Sequence, residues 1–347
     1  MLAAIASVAP GRPLREGLDR IRQAHLGALI VVSDEPSVLS ICSGGFLLDA
    51  GFTPQRLSEL AKMDGAIILA VDASRIARAN VHLVPDPTVA TAETGTRHRT
   101  AERVARSLNV PVLSISESRD AITVYLGDEQ HPLLPPGLLL ARANQALQTL
   151  EHYRTRLDAT ARALSALEVE DLVTVRDVAS LLQRAEMVRR IADEIEVAIV
   201  ELGTDGRLVR LQLEELAGDR LAEIRLADRD YLSGTGDTGP ILDALADLDV
   251  AELLDLKAVA TRLSLGDADA DLAEPLQSRG FRLLGRVRGL APKAVTAIVG
   301  EFGSLQRILR ATPDELSIVP QIDRQRAHIV KDSLSRLTES AILDRHI

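Results

Sequence analysis

The feature that most constrains this chain is a change of period at His131-Pro132-Leu133-Leu134-Pro135-Pro136-Gly137. Upstream, short continuous apolar runs alternate with segments of helical periodicity. Downstream, the amphipathic stretches repeat mostly at helical spacing. Proline removes backbone donors and restrains its predecessor, so the stretch itself reads as a break in regular structure. With 347 residues, 46% of them apolar, the chain is long enough for two or three domains with substantial cores.

Residues 1–136 predict an α/β domain with a mixed sheet. Leu14 to His25 has helical spacing after Pro13, a favoured first-turn residue. Pro54 to Lys62 reads as a short helix with Thr53 as N-cap. A further helix follows Thr96, with Ala101, Val104, Ala105 and Leu108 as its apolar stripe. Gly27–Val32, Ala66–Val71, Asn80–Val84, Val112–Ser116 and Ala121–Leu126 read as strands. Residues 137–277 form an α-helical middle domain, with long runs at Leu138–Leu167, Val175–Ile191 and Ile241–Leu265. Gly203-Thr204-Asp205-Gly206 fits a turn between strands or between helices. This acidic middle carries no chemical motif and reads as a spacer or assembly domain. Residues 278–347 form an all-α end. There Val287–Val295 is similar to Val319–Ala327, and helices at Ala294–Phe302 and Ser304–Arg310 are separated by Gly303. The pair resembles helix-hairpin-helix motifs.

Aromatic residues are scarce and Trp is absent, so the cores must be Leu, Ile, Val and Ala. The single Cys42 excludes an intrachain disulfide framework and a Cys metal cluster, and reads as a small core residue. A reducing cytoplasm is the simplest home. Met1 to Ala9 makes a poor signal peptide, and no apolar run approaches the roughly 18–20 residues of a membrane span, so no membrane partner is expected. The net charge of −10 argues against nucleic acid as the partner of the whole surface. From Arg279 onward, however, 12 Lys/Arg face 7 Asp/Glu. A basic end on an acidic chain implies either a module with an anionic partner or a local fluctuation on a solvated surface.

Two short motifs carry chemistry. Gly95-Thr96-Arg97-His98-Arg99-Thr100 places guanidinium, imidazole and hydroxyl groups where a glycine loop enters a helix. The free N–H groups and positive dipole end of such an N-terminus attract phosphate, and Arg97 and Arg99 add charge-assisted contacts. Asp64-Gly65-Ala66 puts a carboxylate at the edge of a buried strand, where it can hold a metal ion. Each has a plain alternative: Asp64 as a turn carboxylate, Arg97-His98-Arg99 as a solvated helix start, His98 as a structural histidine. Together they point to a metal–nucleoside triphosphate site.

These motifs stand among others in order: Pro10-Gly11 with Pro13-Leu14-Arg15-Glu16-Gly17-Leu18, Ser43-Gly44-Gly45-Phe46, Ala61-Lys62-Met63 before Asp64, Arg78-Ala79-Asn80-Val81, Leu83-Val84-Pro85-Asp86-Pro87, and Glu93-Thr94 leading into Gly95 and on to Ala101-Glu102-Arg103. The set resembles the diadenylate cyclase family, in the architecture of its DNA-integrity scanning branch, over nearly the full length. The resemblance implies condensation of two ATP into cyclic di-AMP with release of two pyrophosphates. The site would form between two subunits of a homo-oligomer, an octamer of facing dimers, with Mg²⁺ or Mn²⁺. It implies catalytic roles for Asp64, Arg97 and His98, with Asp64 as metal ligand. It implies nucleotide contacts from Asp64, Gly65, Ala66, Leu83, Thr96, Arg97, His98, Arg99 and Thr100, and weaker ones from Ser114 and Ser116. Family members often carry paired arginines after the next strand; here Ser118 replaces the first and Arg119 remains.

For the C-terminal pair the motif implies contact with the DNA backbone, branched DNA modulating synthesis. Arg286, Arg288, Gly289, Lys293, Arg324 and Arg326 are the contact candidates. The second block departs from the pattern, with Gln321-Ile322-Asp323 in place of a Gly-Ile-Gly turn. Non-Gly residues there disfavour positive φ, and the Asp323 carboxylate repels phosphate. Two other functions compete: a nonenzymatic sensor of ATP or a cyclic dinucleotide, and a structural oligomer that binds DNA junctions.

Overall fold

The computed structural model describes residues 1–118, 120–219, 221–232, 234–266 and 271–344, with side chains through 339. Arg119 lies outside the described residues. The chain forms two compact units. The first comprises Met1–Leu147 and Glu194–Leu213; the second comprises Gln148–Asp193 and Glu214 onward.

The first unit runs α1 (Leu2–Ser7), α2 (Pro13–Gln23), β1 (Ala28–Val32), α3 (Pro36–Ser40), β2 (Cys42–Ser43), β3 (Phe46–Gly51), α4 (Pro54–Leu60), β4 (Ala66–Leu69), β5 (Arg75–Leu83), α5 (Thr96–Leu108), β6 (Val112–Ser116), β7 (Ala121–Leu126) and β8 (Glu129–Pro132). The strands make one mixed sheet in the order β2-β5-β4-β1-β6-β7-β8, with β3 also on β5. Only β1 and β4 pair in parallel among the described strands. All residues of these two strands are buried, which explains their continuous apolar runs. Successive side chains point to opposite faces. Ile30 and Val32 therefore join Leu14, Leu18 and Ile21 of α2 and Leu57 of α4 on one face. Leu29 and Val31 join Val38 of α3 and Ala101, Val104 and Ala105 of α5 on the other. Thr53 caps α4 by accepting the Arg56 N–H.

The strands depart from the sequence reading most clearly at β5, β3 and β8. β5 begins at Arg75, five residues before the apolar run suggested, because Arg75 and Arg78 interrupt the apolar pattern without leaving the ladder. Asn80 then sits at φ 54, where the β4–β5 register shifts. β3 carries Phe46, Leu47 and Leu48 exposed, so burial never marked it as a strand. β8 takes in His131 and Pro132 at the sheet edge, where a missing N–H is tolerated. The irregular stretch thus shrinks to residues 133–135.

Two long helices follow, α6 (Pro136–Glu170) and α7 (Val175–Leu202). Gly203–Gly206 is a 3₁₀ turn between helices, leading into α8 (Arg207–Ala217). Glycine is required at 203: φ is 53, and a β-carbon would fall 2.3 Å from the Pro10 carbonyl oxygen. In the second unit, the run expected at Ile241–Leu265 breaks into three. After α9 (Ala222–Tyr231) come α10 (Gly239–Ala246), α11 (Val250–Leu254) and α12 (Leu256–Arg262). Asp249 and Asp255 cause the breaks, since each accepts a backbone N–H of the helix it starts. Among the described residues no helix is long and apolar enough to cross a membrane.

The C-terminal helices are α13 (Phe281–Gly285), α14 (Pro292–Phe302), α15 (Leu305–Arg310), α16 (Pro313–Leu316) and α17 (Arg324–Asp344). Leu284, Val287, Ile298, Ile308, Leu316, Val319 and Val330 share their core. The two similar blocks make the same turn. Val287 and Leu290 donate to Leu284 and Val287; Val319 and Ile322 donate to Leu316 and Val319. Gly289 has φ 80, and Gln321, in the matching place, has φ 76. Gln321 thus adopts the conformation that a non-glycine residue disfavours. Val319 and Ile322, 1% and 4% exposed, are held in the core on either side and impose it. A buried polar cluster fixes the start of α13. The Asp230 carboxylate accepts the N–H groups of Gly280, Phe281 and Arg282, while the Arg282 guanidinium pairs with Glu168 at 2.9 Å and with Glu223.

Candidate functional site

The starts of β1 and β4, the end of β6 and the N-terminus of α5 meet at one edge of the sheet. There a cavity of about 880 Å³ is lined by His25, Asp64, Thr94, Gly95, Thr96, Arg97, His98, Ile115, Ser116, Glu117 and Ser118. Its size suits a nucleotide-sized ligand.

α5 is anchored by its apolar stripe. Ala101, Val104 and Ala105 are fully buried, and Asn109 ends the helix in the left-handed region. Its other end opens on the cavity. Gly95 is the N-cap, in extended conformation and with no side-chain capping bond. A glycine brings no side chain of its own to cap the helix, and the first-turn residues Thr96, Arg97 and His98 line the cavity, a placement suited to an anion.

Arg97 reaches back across the cavity. Its Nη2 lies 3.1 Å from Oδ1 of Asp64, whose side chain is 95% exposed. The guanidinium lies against Gly27: a β-carbon there would fall 2.4 Å from Nη1. His98 is half-buried and bonds through Nδ1 to the Tyr125 hydroxyl at 2.8 Å; Tyr125 also contacts Glu93 at 3.1 Å. Ser116 lines the cavity, 3.3 Å from the Ser118 hydroxyl.

The structure thus brings together Asp64, Thr96, Arg97, His98 and Ser116 of the sequence candidates. The others lie off the cavity wall. Ala66, Leu83 and Ser114 are buried in the sheet, and the Ser114 hydroxyl has no hydrogen-bond partner among the described residues. The Thr100 hydroxyl turns back to the Thr96 carbonyl, and Arg99 is exposed. Gly65 serves the sheet, since a β-carbon there would fall 2.7 Å from the Asn80 backbone. Sequence reasoning missed His25, Gly27, Thr94, Ile115 and Glu117. Only Gly27 and Thr94 left a trace, as neighbours of a strand start and of the glycine loop.

No group of three or more His, Cys, Asp or Glu close enough to hold a metal occurs among the described residues. A single exposed carboxylate does fit a hard divalent ion that arrives with phosphate ligands, as Mg²⁺ does. In the C-terminal hairpins the cations differ. Among the described residues no carboxylate pairs with Arg288 or Lys293. Arg324 pairs with Asp314 at 3.0 Å, and Arg326 bonds the Gln321 carbonyl, with Asp323 3.9 Å away. Asp323 accepts the Arg326 N–H and so caps α17.

Residues 15–130 match the family model described as DisA bacterial checkpoint controller nucleotide-binding, and residues 133–272 match the DisA bacterial checkpoint controller linker region. The class is therefore a nucleotide-binding α/β domain followed by a helical linker. Among curated relatives, the DNA integrity scanning protein DisA of Frankia alni is 50% identical over 348 residues, covering 99% of this chain and 97% of that protein. Those of Kineococcus radiotolerans and Streptomyces coelicolor are 50% and 48% identical, covering 99% and 100% of this chain and 96% and 94% of theirs. The chain belongs to the DNA integrity scanning protein DisA family and is a diadenylate cyclase.

Proposed function

We propose that the cavity at the α5 N-terminus binds one ATP and that two copies of the chain face each other to make cyclic di-AMP. In each half-reaction the 3′-oxygen of one ATP attacks the α-phosphorus of the other, the α–β bridging P–O bond breaks, pyrophosphate leaves, and the 3′-hydroxyl proton is lost. One cavity supplies one nucleotide, so neither bond can form until a second cavity arrives. That geometry calls for a homo-oligomer, read here as an octamer of facing dimers. The observation that carries the reading is the ion pair of Asp64 with Arg97 in front of an uncapped helix N-terminus.

Asp64 and Arg97 neutralise one another across the cavity. An arriving triphosphate competes for Arg97, together with the first-turn N–H groups, Thr96 and His98. Asp64 is then released toward the 3′-hydroxyl, which it orients or deprotonates. Diadenylate cyclases of this family generally use a divalent metal. Asp64 would hold it, as Mg²⁺ or Mn²⁺, where it offsets negative charge on the phosphates and acidifies the hydroxyl. Everything else is positioning and electrostatics by the chain itself. Arg99 and Thr100 support the loop from behind. Incubation with ATP and either metal should yield cyclic di-AMP and pyrophosphate, resolved by chromatography. Asp64→Asn should lower the yield by roughly a hundredfold or more, and chelation should abolish it. ATP bound without turnover under either metal would favour the sensor reading.

The three functional parts are then the cyclase domain at 1–136, the linker at 137–277 and a helix-hairpin-helix domain at 278–347. Branched DNA is proposed to bind the last and to modulate synthesis. The first hairpin is better suited, because Gly289 has open space before it and Arg288 and Lys293 are unpaired among the described residues. The second hairpin meets its own cations with carboxylates. Binding to branched DNA should weaken steeply with salt and fall in Lys293→Ala, while Arg324→Ala leaves it nearly unchanged. A salt-independent, sequence-specific footprint would contradict this.

A further inference from the structure

We infer that Glu93 and Tyr125 are positioning residues that hold His98 with its proton on Nδ1 and its ring fixed at the cavity wall. The purpose of this arrangement rests on the cyclase reading; the arrangement itself does not.

Tyr125 stands on β7 with its side chain in the core beneath α5, 1% exposed. Its oxygen touches Nδ1 of His98 at 2.8 Å and Oε1 of Glu93 at 3.1 Å. A carboxylate only accepts, so the single phenolic hydrogen goes to Glu93. The oxygen is left to accept from the ring, and Nδ1 must carry the hydrogen. Thr123 bonds the same phenol, whose oxygen has a second lone pair to accept with. Burial first, and then the Glu93 charge, push the Tyr125 hydroxyl far above its ordinary range, so it keeps its proton. The ring meets Tyr125 edge-on, with centroids 6.3 Å apart.

Glu93 is itself delivered by a fixed loop. Glu102 of α5 accepts from the Thr91 hydroxyl at 2.5 Å and the Ala92 N–H at 3.2 Å. Arg103 and Arg106 donate to the Val89 and Ala90 carbonyls at 3.0 and 2.7 Å. The helix whose N-terminus meets the cavity therefore also ties down the loop that orients its histidine. With Nδ1–H committed to Tyr125, protonation change is confined to Nε2: an acceptor in the neutral ring, an N–H donor to an anion in the charged one. A ring flip would forfeit the Tyr125 bond.

The test uses the full-length protein labelled with ¹⁵N-histidine. The His98 signals are assigned by their loss in His98→Gln, and long-range ¹H–¹⁵N correlations are read above the ring's titration. In the wild type Nδ1 should show the protonated shift and Nε2 the unprotonated one. Tyr125→Phe, which removes one hydroxyl, should redistribute the tautomers toward Nε2–H and lower kcat/KM about tenfold, in the range seen when partners behind a functional histidine are lost. Glu93→Gln keeps an acceptor oxygen and should keep the Nδ1–H pattern with a smaller loss. An Nε2–H ring in the wild type, or one unchanged in Tyr125→Phe, overturns the inference. A shifted tautomer with undiminished kcat/KM overturns the positioning role. If the wild type makes no cyclic di-AMP, it is the cyclase reading that fails, and the tautomer measurement still decides this one.

Discussion

At the scale of single residues, the site depends on what is absent as much as on what is present. Arg97 can lie against the start of β1 only because Gly27 has no side chain. The atom a β-carbon would strike is the far end of a flexible arginine, so the chain can yield without unfolding. Gly27→Ala should therefore cost little stability while moving the guanidinium off Asp64 and lowering kcat/KM about tenfold, the scale of a misplaced positioning group. A melting midpoint and a rate on the same sample check both halves. A large drop in the midpoint with normal activity would contradict it. Asp64 and Arg97, which the structure brings together, were legible because a carboxylate before a buried strand and arginines after a glycine loop signal a charge pattern on their own. Gly27, His25 and Tyr125 were not, since each matters only through a neighbour brought from elsewhere in the fold. Ser114 lies off the cavity for a different reason: it is buried one step further into β6, and only the strand's last two residues, Ile115 and Ser116, line the cavity.

At the scale of elements, α5 and the paired hairpins show where local pattern suffices. The stripe Ala101, Val104 and Ala105 marked α5, which begins at Thr96. The Gly303 stop was equally clear, and it adopts φ 75. What local pattern could not supply was tertiary override. The run through Ile241–Leu265 keeps helical spacing, yet side-chain capping by Asp249 and Asp255 divides it. β5 hid behind two half-buried arginines, Arg75 and Arg78, that interrupt its apolar pattern. Gln321 is the sharpest case, a non-glycine residue held at φ 76 by buried neighbours. That conformation costs an L-residue roughly 1–2 kcal/mol, partly offset by the extra freedom glycine has when unfolded. Gln321→Gly should raise unfolding free energy by about 1 kcal/mol, read from denaturant melts. A destabilising effect would mean that the Gln321 side chain itself supports the turn.

At the scale of the whole molecule, each unit buries its own core, and the cavity belongs to the first of them alone. In the proposed reaction a cavity that holds one nucleotide cannot close a ring of two, so two copies have to pair. In the proposed mechanism both bonds of the ring form, and each uses an intact Asp64 and Arg97. Assemblies containing wild-type and Asp64→Asn chains in varied proportion, co-expressed so that they mix at random, give the direct measurement. Cyclic di-AMP synthesis per total chain should fall as the square of the wild-type fraction, because only pairs of intact cavities complete the product. A strictly linear fall would mean that each chain works alone and would contradict the shared site.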